Sequence, residues 1–220
     1  PYNYVMNNPL VLVDPDGMRV GDYYSENGQF VGTDGINDNK NYVVPNRNLE
    51  VVQNALESLS ILRLENYAYQ AASSNSVLLV DGSAINQMEQ IVNTATLWNE
   101  VGGVIAMSIS GAQKTIAALP GKKVEDPCNA ESARINVELA AKKGEWEGFS
   151  YKVASFHTHP FGTKRVGNLV CGFYKPPSSE DIRQASEKPL KLNHYVISDK
   201  VYVYNGNGIM VTFPKDSFLN

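Results

Sequence analysis

Cysteine is nearly absent from this chain of 220 residues, which has only Cys128 and Cys171. That excludes a disulfide-dense scaffold, and the lack of any Cys-x-x-Cys spacing excludes the usual thiolate zinc and redox motifs. The two thiols read either as free or as one bridge made in an oxidising compartment, because sequence supplies no geometry. Positive charge is equally thin. A net charge of −4, a pI near 5.4 and no run of lysine or arginine exclude the basic stripe of a nucleic-acid binder. No apolar run approaches the ~18–20 residues that cross a bilayer. The first residues carry no basic-then-apolar signal either, so the sequence itself names no compartment. No internal repeat is present.

What is there is an ordinary globular composition, 43% hydrophobic, and three histidines, two of them one residue apart. In Ser155-Phe156-His157-Thr158-His159-Pro160 the strand period of two sends both imidazoles to one face. Tyr151, Val153 and Ser155 share their parity, Lys152, Ala154 and Phe156 oppose it, and Pro160 closes the run, so a half-buried strand ends at the histidines. Two imidazoles and one carboxylate are a normal catalytic zinc shell with a position left for water. Asp181, in Pro177-Ser178-Ser179-Glu180-Asp181, offers the carboxylate. Taken singly these signals are weak: His-x-His recurs by accident, and Ser178-x-x-Asp181 is equally a helix capping box ahead of Ile182 and Ala185. The two readings of Ser178 and Asp181 are compatible.

Taken together, His157-Thr158-His159-Pro160 followed by Pro177-Ser178-x-x-Asp181 resembles the signature of the JAMM (MPN-type) zinc metalloproteases. The resemblance covers roughly 74 to 213 and implies an α/β (α+β), cytidine-deaminase-like mixed β-sheet flanked by helices. It also implies Zn2+ held by His157, His159 and Asp181. In the family a glutamate from an earlier strand is the acid/base partner, and Glu100-Val101-Gly102-Gly103 answers that description, with Ser178 steadying the oxyanion. The implied activity is hydrolysis of peptide or isopeptide bonds in a protein or peptide substrate, ubiquitin-like conjugates included. One departure is the link from 161 to 177, longer than the family's. Its glycines and apolar residues (Phe161, Val166, Leu169, Val170, Phe173, Tyr174) predict a segment that packs, either beside the site, governing access to it as a lid or a wall, or on the far side of the sheet for stability alone.

The first eighteen residues carry a second resemblance. Tyr2-Asn3-Tyr4-Val5-Met6-Asn7-Asn8-Pro9 and Asp14-Pro15-Asp16-Gly17 look like the closing segment of Rhs/YD-repeat core proteins, where a variable C-terminal effector begins. This implies a secreted or cell-surface polypeptide with a toxin at its tip, delivery into a target cell, and a matching immunity protein. Three domains are expected: 1–18 as the core's tail, 19–47 as a polar arm rich in Gly, Asn and Asp, and 48–220 as the metalloprotease.

Along that last stretch, Leu49, Val52, Leu56, Leu59 and Leu62 mark an amphipathic helix whose stripe covers a sheet. Ser76 to Val80 reads as a buried strand, Ser83 as the N-cap of a helix running to Trp98, and Glu100 as lying on the next strand. Runs 115–118 and 133–139 read as strands. Then come three antiparallel strands around 193–198, 201–204 and 209–213, the first carrying His194 as a sheet residue. Glu131, Glu138, Glu145 and Glu147 are rival acids ranked behind Glu100. A competing class is a metal-free MPN-like scaffold that only binds proteins, and a third is an inert end piece of the Rhs shell. Bound zinc separates the first reading from both.

Overall fold

Residues 22–36, 40–62, 65–124, 126–129 and 135–218 are described by the structure, a computed structural model, and form mixed α/β architecture in two units. The segment resembling an Rhs core, 1–18, lies outside the described residues. One unit takes in Gln29–Leu78 with the chain up to Ser25; the other is Leu79–Asn220 with Glu26–Gly28.

The first unit has strands β1 (Asp22–Ser25), β2 (Phe30–Thr33) and β3 (Asn41–Val44), helices α1 (Leu49–Leu62) and α2 (Glu65–Ser74), and the short β4 (Val77–Leu78). Its sheet order is β2-β1-β3-β4, with β1 and β3 parallel. The expected polar arm is therefore corrected: the described residues of 19–47 include three paired strands. Sparse large residues suffice, because Tyr23 and Tyr42 stack at 4.6 Å and pack with Val44 beneath Val52 and Leu56 of α1. The stripe of α1 thus covers this small sheet. Among its described side chains helix α2 buries Ala68 and Ala72, too small to mark a stripe in the sequence. The expected domain start at 48 moves accordingly to 79, and β4 pairs with β3 over only two residues.

The second unit runs α3 (Gly82–Val92), β5 (Gly102–Met107), β6 (Gln113–Ala117), α4 (Val137–Trp146), β7 (Tyr151–Thr158), β8 (Thr163–Val166), β9 (Leu169–Gly172), α5 (Ser179–Glu187), β10 (His194–Ile197), β11 (Lys200–Asn205), β12 (Gly208–Pro214) and α6 (Lys215–Phe218). The main sheet has order β12-β11-β10-β7-β5-β6, and only β7 and β10 are parallel, joined through α5. Asp81, not Ser83, occupies the N-cap position of α3, without a side-chain capping bond, and the helix stops at Val92, where Asn93 and Thr94 make turn bonds back to Glu89 and Ile91. Run 133–139 is corrected too. Its described part leads into α4, because the Asn136 side chain accepts from Glu138 N at 3.0 Å and caps a helix-favouring Glu-Leu-Ala-Ala run.

Cross-strand register sorts the sheet into two faces. One carries the rows Gly102, His157, Val196, Tyr202 and Val104, Ser155, His194, Tyr204. Helix α4 covers its β5–β6 end through Ala140 on Val104 and Ile116, and α5 covers the β10–β11 end through Ala185 on Val196, Tyr202 and Tyr204. The opposite face receives α3, where Thr115 Oγ1 donates to Ala84 O at 3.0 Å. Strand β7 is therefore buried on both faces from Val153 to Phe156, rather than half buried.

The long link forms the hairpin β8–β9 around Gly167 (φ 60°) and Asn168, a two-residue turn that favours a positive φ. Its apolar residues do not pack as expected: Val166, Leu169 and Val170 are more than half exposed. Other anchors hold it, the Cys128–Cys171 disulfide and the Lys164–Asp126 ion pair at 3.0 Å. The bridge spans a sequence separation of 43. Closing a loop of that size destabilises the unfolded chain by about 4 kcal/mol.

Gly102 is demanded by close approach. A Cβ there would meet Phe156 O at 2.2 Å and His157 Cα at 2.7 Å, whereas one at Gly82 would meet nothing within 4 Å. Gly102→Ala is expected to destabilise the protein by ~1–3 kcal/mol through overpacking, and Gly82→Ala not to. Urea unfolding of the two variants checks this.

Candidate metal centre

His157 sits on β7 and His159 just past its end, and their Nε2 atoms lie 3.1 Å apart. The parallel β7–β10 crossover brings the N-terminus of α5 back to that edge. There Ser178 and Asp181 form a full capping box: Asp181 N donates to Ser178 Oγ (3.2 Å), and Ser178 N (2.7 Å) and Oγ (2.6 Å) donate to Asp181 Oδ2. These capping bonds leave the Asp181 carboxylate facing both imidazoles. Asp181 Oδ1 stands 3.5 Å from His157 Nε2 and Oδ2 stands 3.5 Å from His159 Nε2. One donor atom from each residue falls within 4.8 Å of the others, and this partly to fully buried group can hold a metal ion.

The surroundings prepare the donors. His159 Nδ1 lies 2.7 Å from Tyr174 O, which only accepts, so Nδ1 carries the proton and the Nε2 lone pair faces the cluster. Burial pushes the His157 imidazole down to about 4, with His159 and His194 adding to it and Asp181 opposing, so it is neutral at neutral pH. For His159 burial acts in the same direction, but Asp181, Glu100 and the Tyr174 carbonyl outweigh it and raise its pKa. Burial would raise Asp181, yet the two histidines and Ser178 hold it well below the usual carboxylate range. Two bases and an acid are thus mutually compensated.

Glu100 precedes β5 rather than lying on it, and it lines the same cavity of about 390 Å3 as His157, His159, Ser178 and Asp181. Its neighbour is pinned to the motif: Thr158 N donates to Val101 O (2.8 Å), and Val101 N donates to Thr158 Oγ1 (3.0 Å). The residue between the two histidines therefore fixes the chain beside the glutamate. Of the rival acids, Glu131 lies outside the described residues and Glu145 is exposed on α4. Glu138 pairs with Lys188 at 2.9 Å and Glu147 with Lys114 at 2.9 Å, and neither lines the cavity.

The Ser178 hydroxyl, expected to face an oxyanion, directs its one proton at Asp181. It reaches an incoming carbonyl only by exchanging that bond. From the long link, Phe173 and Tyr174 line the cavity while the β8 and β9 strands do not, so the link forms a wall. Sequence reasoning missed Ser155, Tyr204 and the Tyr174 carbonyl. Ser155 had a signal, being one period-two step before His157; the other two depend on register and loop path. His194 is a sheet residue, as expected, but one that lines the cavity, with Nδ1 2.7 Å from Ser155 Oγ.

His194, like His157, is lowered to about 4, by burial and then by Lys152. The unfolded chain takes up protons near 6.5 while the fold resists them, so this stability is complete above about 6.5 and is lost as pH falls towards 4. The raised His159 acts oppositely, its contribution being lost as pH rises through its folded pKa. In metal-free protein the unfolding free energy is expected to fall between pH 6.5 and 4 by up to about 1.4 kcal/mol per pH unit for each lowered histidine. His194→Gln should make that slope shallower, which urea titrations across the range will show.

Comparison with protein-family models, curated proteins and solved structures finds no match to this chain.

Proposed function

We propose that this chain is a zinc-dependent hydrolase of peptide or isopeptide bonds, of the JAMM/MPN type. The observation that carries the reading is the convergence of His157 Nε2, His159 Nε2 and an Asp181 oxygen, with the His159 tautomer set by Tyr174. Donors ~2.0–2.1 Å from a tetrahedral zinc stand about 3.3 Å apart. The 3.1 Å separation of the two imidazole nitrogens is near that spacing, and Asp181 stands 3.5 Å from each imidazole through a different oxygen, Oδ1 to His157 and Oδ2 to His159, so one carboxylate oxygen closes the set by a small rotation. The mixed sheet, with α3 on one face and α4 and α5 on the other, is compatible with the proposed family.

Zinc at these donors would lower the pKa of water from ~15.7 towards about 7 and polarise a scissile carbonyl. The chain's own residues do the rest. Glu100 takes a proton from the attacking water and returns it to the leaving nitrogen as the C–N bond breaks. Ser178 holds Asp181 in place, and Thr158 keeps Glu100 in register with the histidines. The wall at Phe173 and Tyr174 shapes one side of the groove.

The same proposal places the domain as the effector tip of a larger secreted or surface protein acting on a target-cell protein, ubiquitin-like conjugates included, with an immunity partner. The Cys128–Cys171 bridge supports passage through an oxidising compartment. The complete donor set disfavours a metal-free scaffold.

Purified protein is expected to contain about one zinc per chain by elemental analysis, and the double variant His157→Ala/His159→Ala none; zinc retained by that variant would overturn the assignment. Glu100→Gln should keep the metal and the fold while lowering turnover of a cleavable peptide or conjugate by ~10²–10⁴-fold. Loss of zinc from Glu100→Gln would make it a ligand instead.

A further inference from the structure

The hydrolase reading leaves one requirement unmet by the residues assigned so far. A carbonyl under attack gains negative charge on oxygen and needs a donor aimed at it, and the Ser178 proton is committed to Asp181 Oδ2 at 2.6 Å. Tyr204 supplies what is missing. It stands in the cross-strand row directly behind the histidines, Tyr204–His194–Ser155, and lines the same cavity as Glu100, His157 and Asp181.

Its ring is fixed: 3% exposed, 5.4 Å from the His194 ring, and packed with Ala185 and Val196. Its hydroxyl, however, makes no hydrogen bond among the described residues. The neighbouring tyrosines on this sheet do otherwise. Tyr195 Oη accepts from Val80 N at 3.2 Å, and Tyr202 Oη donates to Asp199 at 3.1 Å. The hydroxyl is not sealed in the core but opens onto the cavity, where a ligand or solvent completes it.

We propose that the Tyr204 hydroxyl is the hydrogen-bond donor to the carbonyl oxygen of the amide being cleaved. This rests on the hydrolase reading above. As water adds to the carbonyl carbon, the π pair moves onto oxygen; Tyr204 keeps its proton and donates a shorter bond to that charge. Burial, reinforced by Asp181 and Glu100, holds the phenol's pKa well above its ordinary value, so it remains a donor throughout the working pH range.

The test uses acetohydroxamate, a small zinc-binding carbonyl compound, titrated calorimetrically into zinc-loaded wild type, Tyr204→Phe and Tyr202→Phe. Tyr204→Phe removes one oxygen that has no protein partner, so the ring packing survives. It should weaken acetohydroxamate roughly three- to tenfold with zinc affinity within about twofold of wild type, and Tyr202→Phe should leave both unchanged. Equal acetohydroxamate affinity in zinc-loaded Tyr204→Phe and wild type overturns the role of Tyr204 and spares the hydrolase reading. Wild type that takes up no zinc overturns both. Should Tyr204→Phe fail to fold, 3-fluorotyrosine at 204 replaces it: a fluorine shift on adding acetohydroxamate supports the proposal, and none overturns it.

Discussion

Two imidazoles and a carboxylate crowded to within hydrogen-bond range in a partly dry cleft form an arrangement a folded chain must actively maintain. Each group alone resists charging there, and the three are tolerable only because each answers another. Around that constraint the second unit is laid out. The parallel β7–β10 pair with α5 between them returns a helix N-terminus to the end of β7, where the Ser178 N–H and hydroxyl stabilise the Asp181 carboxylate. Gly102 lets β5 approach the backbone at His157 where any side chain would collide. The Tyr174 carbonyl then sets which nitrogen of His159 is free.

The donor set was legible because its signals are local. A period of two, a proline stop and a capping box each act within a few residues, and the structure joins them as their chemistry suggests. Glu100 was legible as a candidate but not its placement, which depends on the Thr158–Val101 bonds between segments far apart in sequence. His194 and Tyr204 were opaque for the same reason. Which strand neighbours β7, and in what register, is set by tertiary packing and leaves no mark in the alternation of β10 or β11.

The misread elements share a cause of another kind. In 133–139 an alternating pattern competed with a single capping asparagine, and the cap prevailed because the residues after Asn136 are strong helix formers. In 19–47 the abundance of Gly, Asn and Asp concealed Tyr23 and Tyr42, two rings that meet only after the strands pair. Composition averages over a segment, whereas a small core is decided by a few large side chains.

The disulfide also changes what kind of molecule this is. Joining Cys128 to Cys171 turns the intervening chain into a closed covalent ring that contains α4, all of β7, His157 and His159, with Glu100 and Asp181 on the two tails outside it. A single cut by a protease anywhere inside that ring opens it without dividing the molecule. The two imidazoles then remain covalently attached to both the acid upstream and the carboxylate downstream.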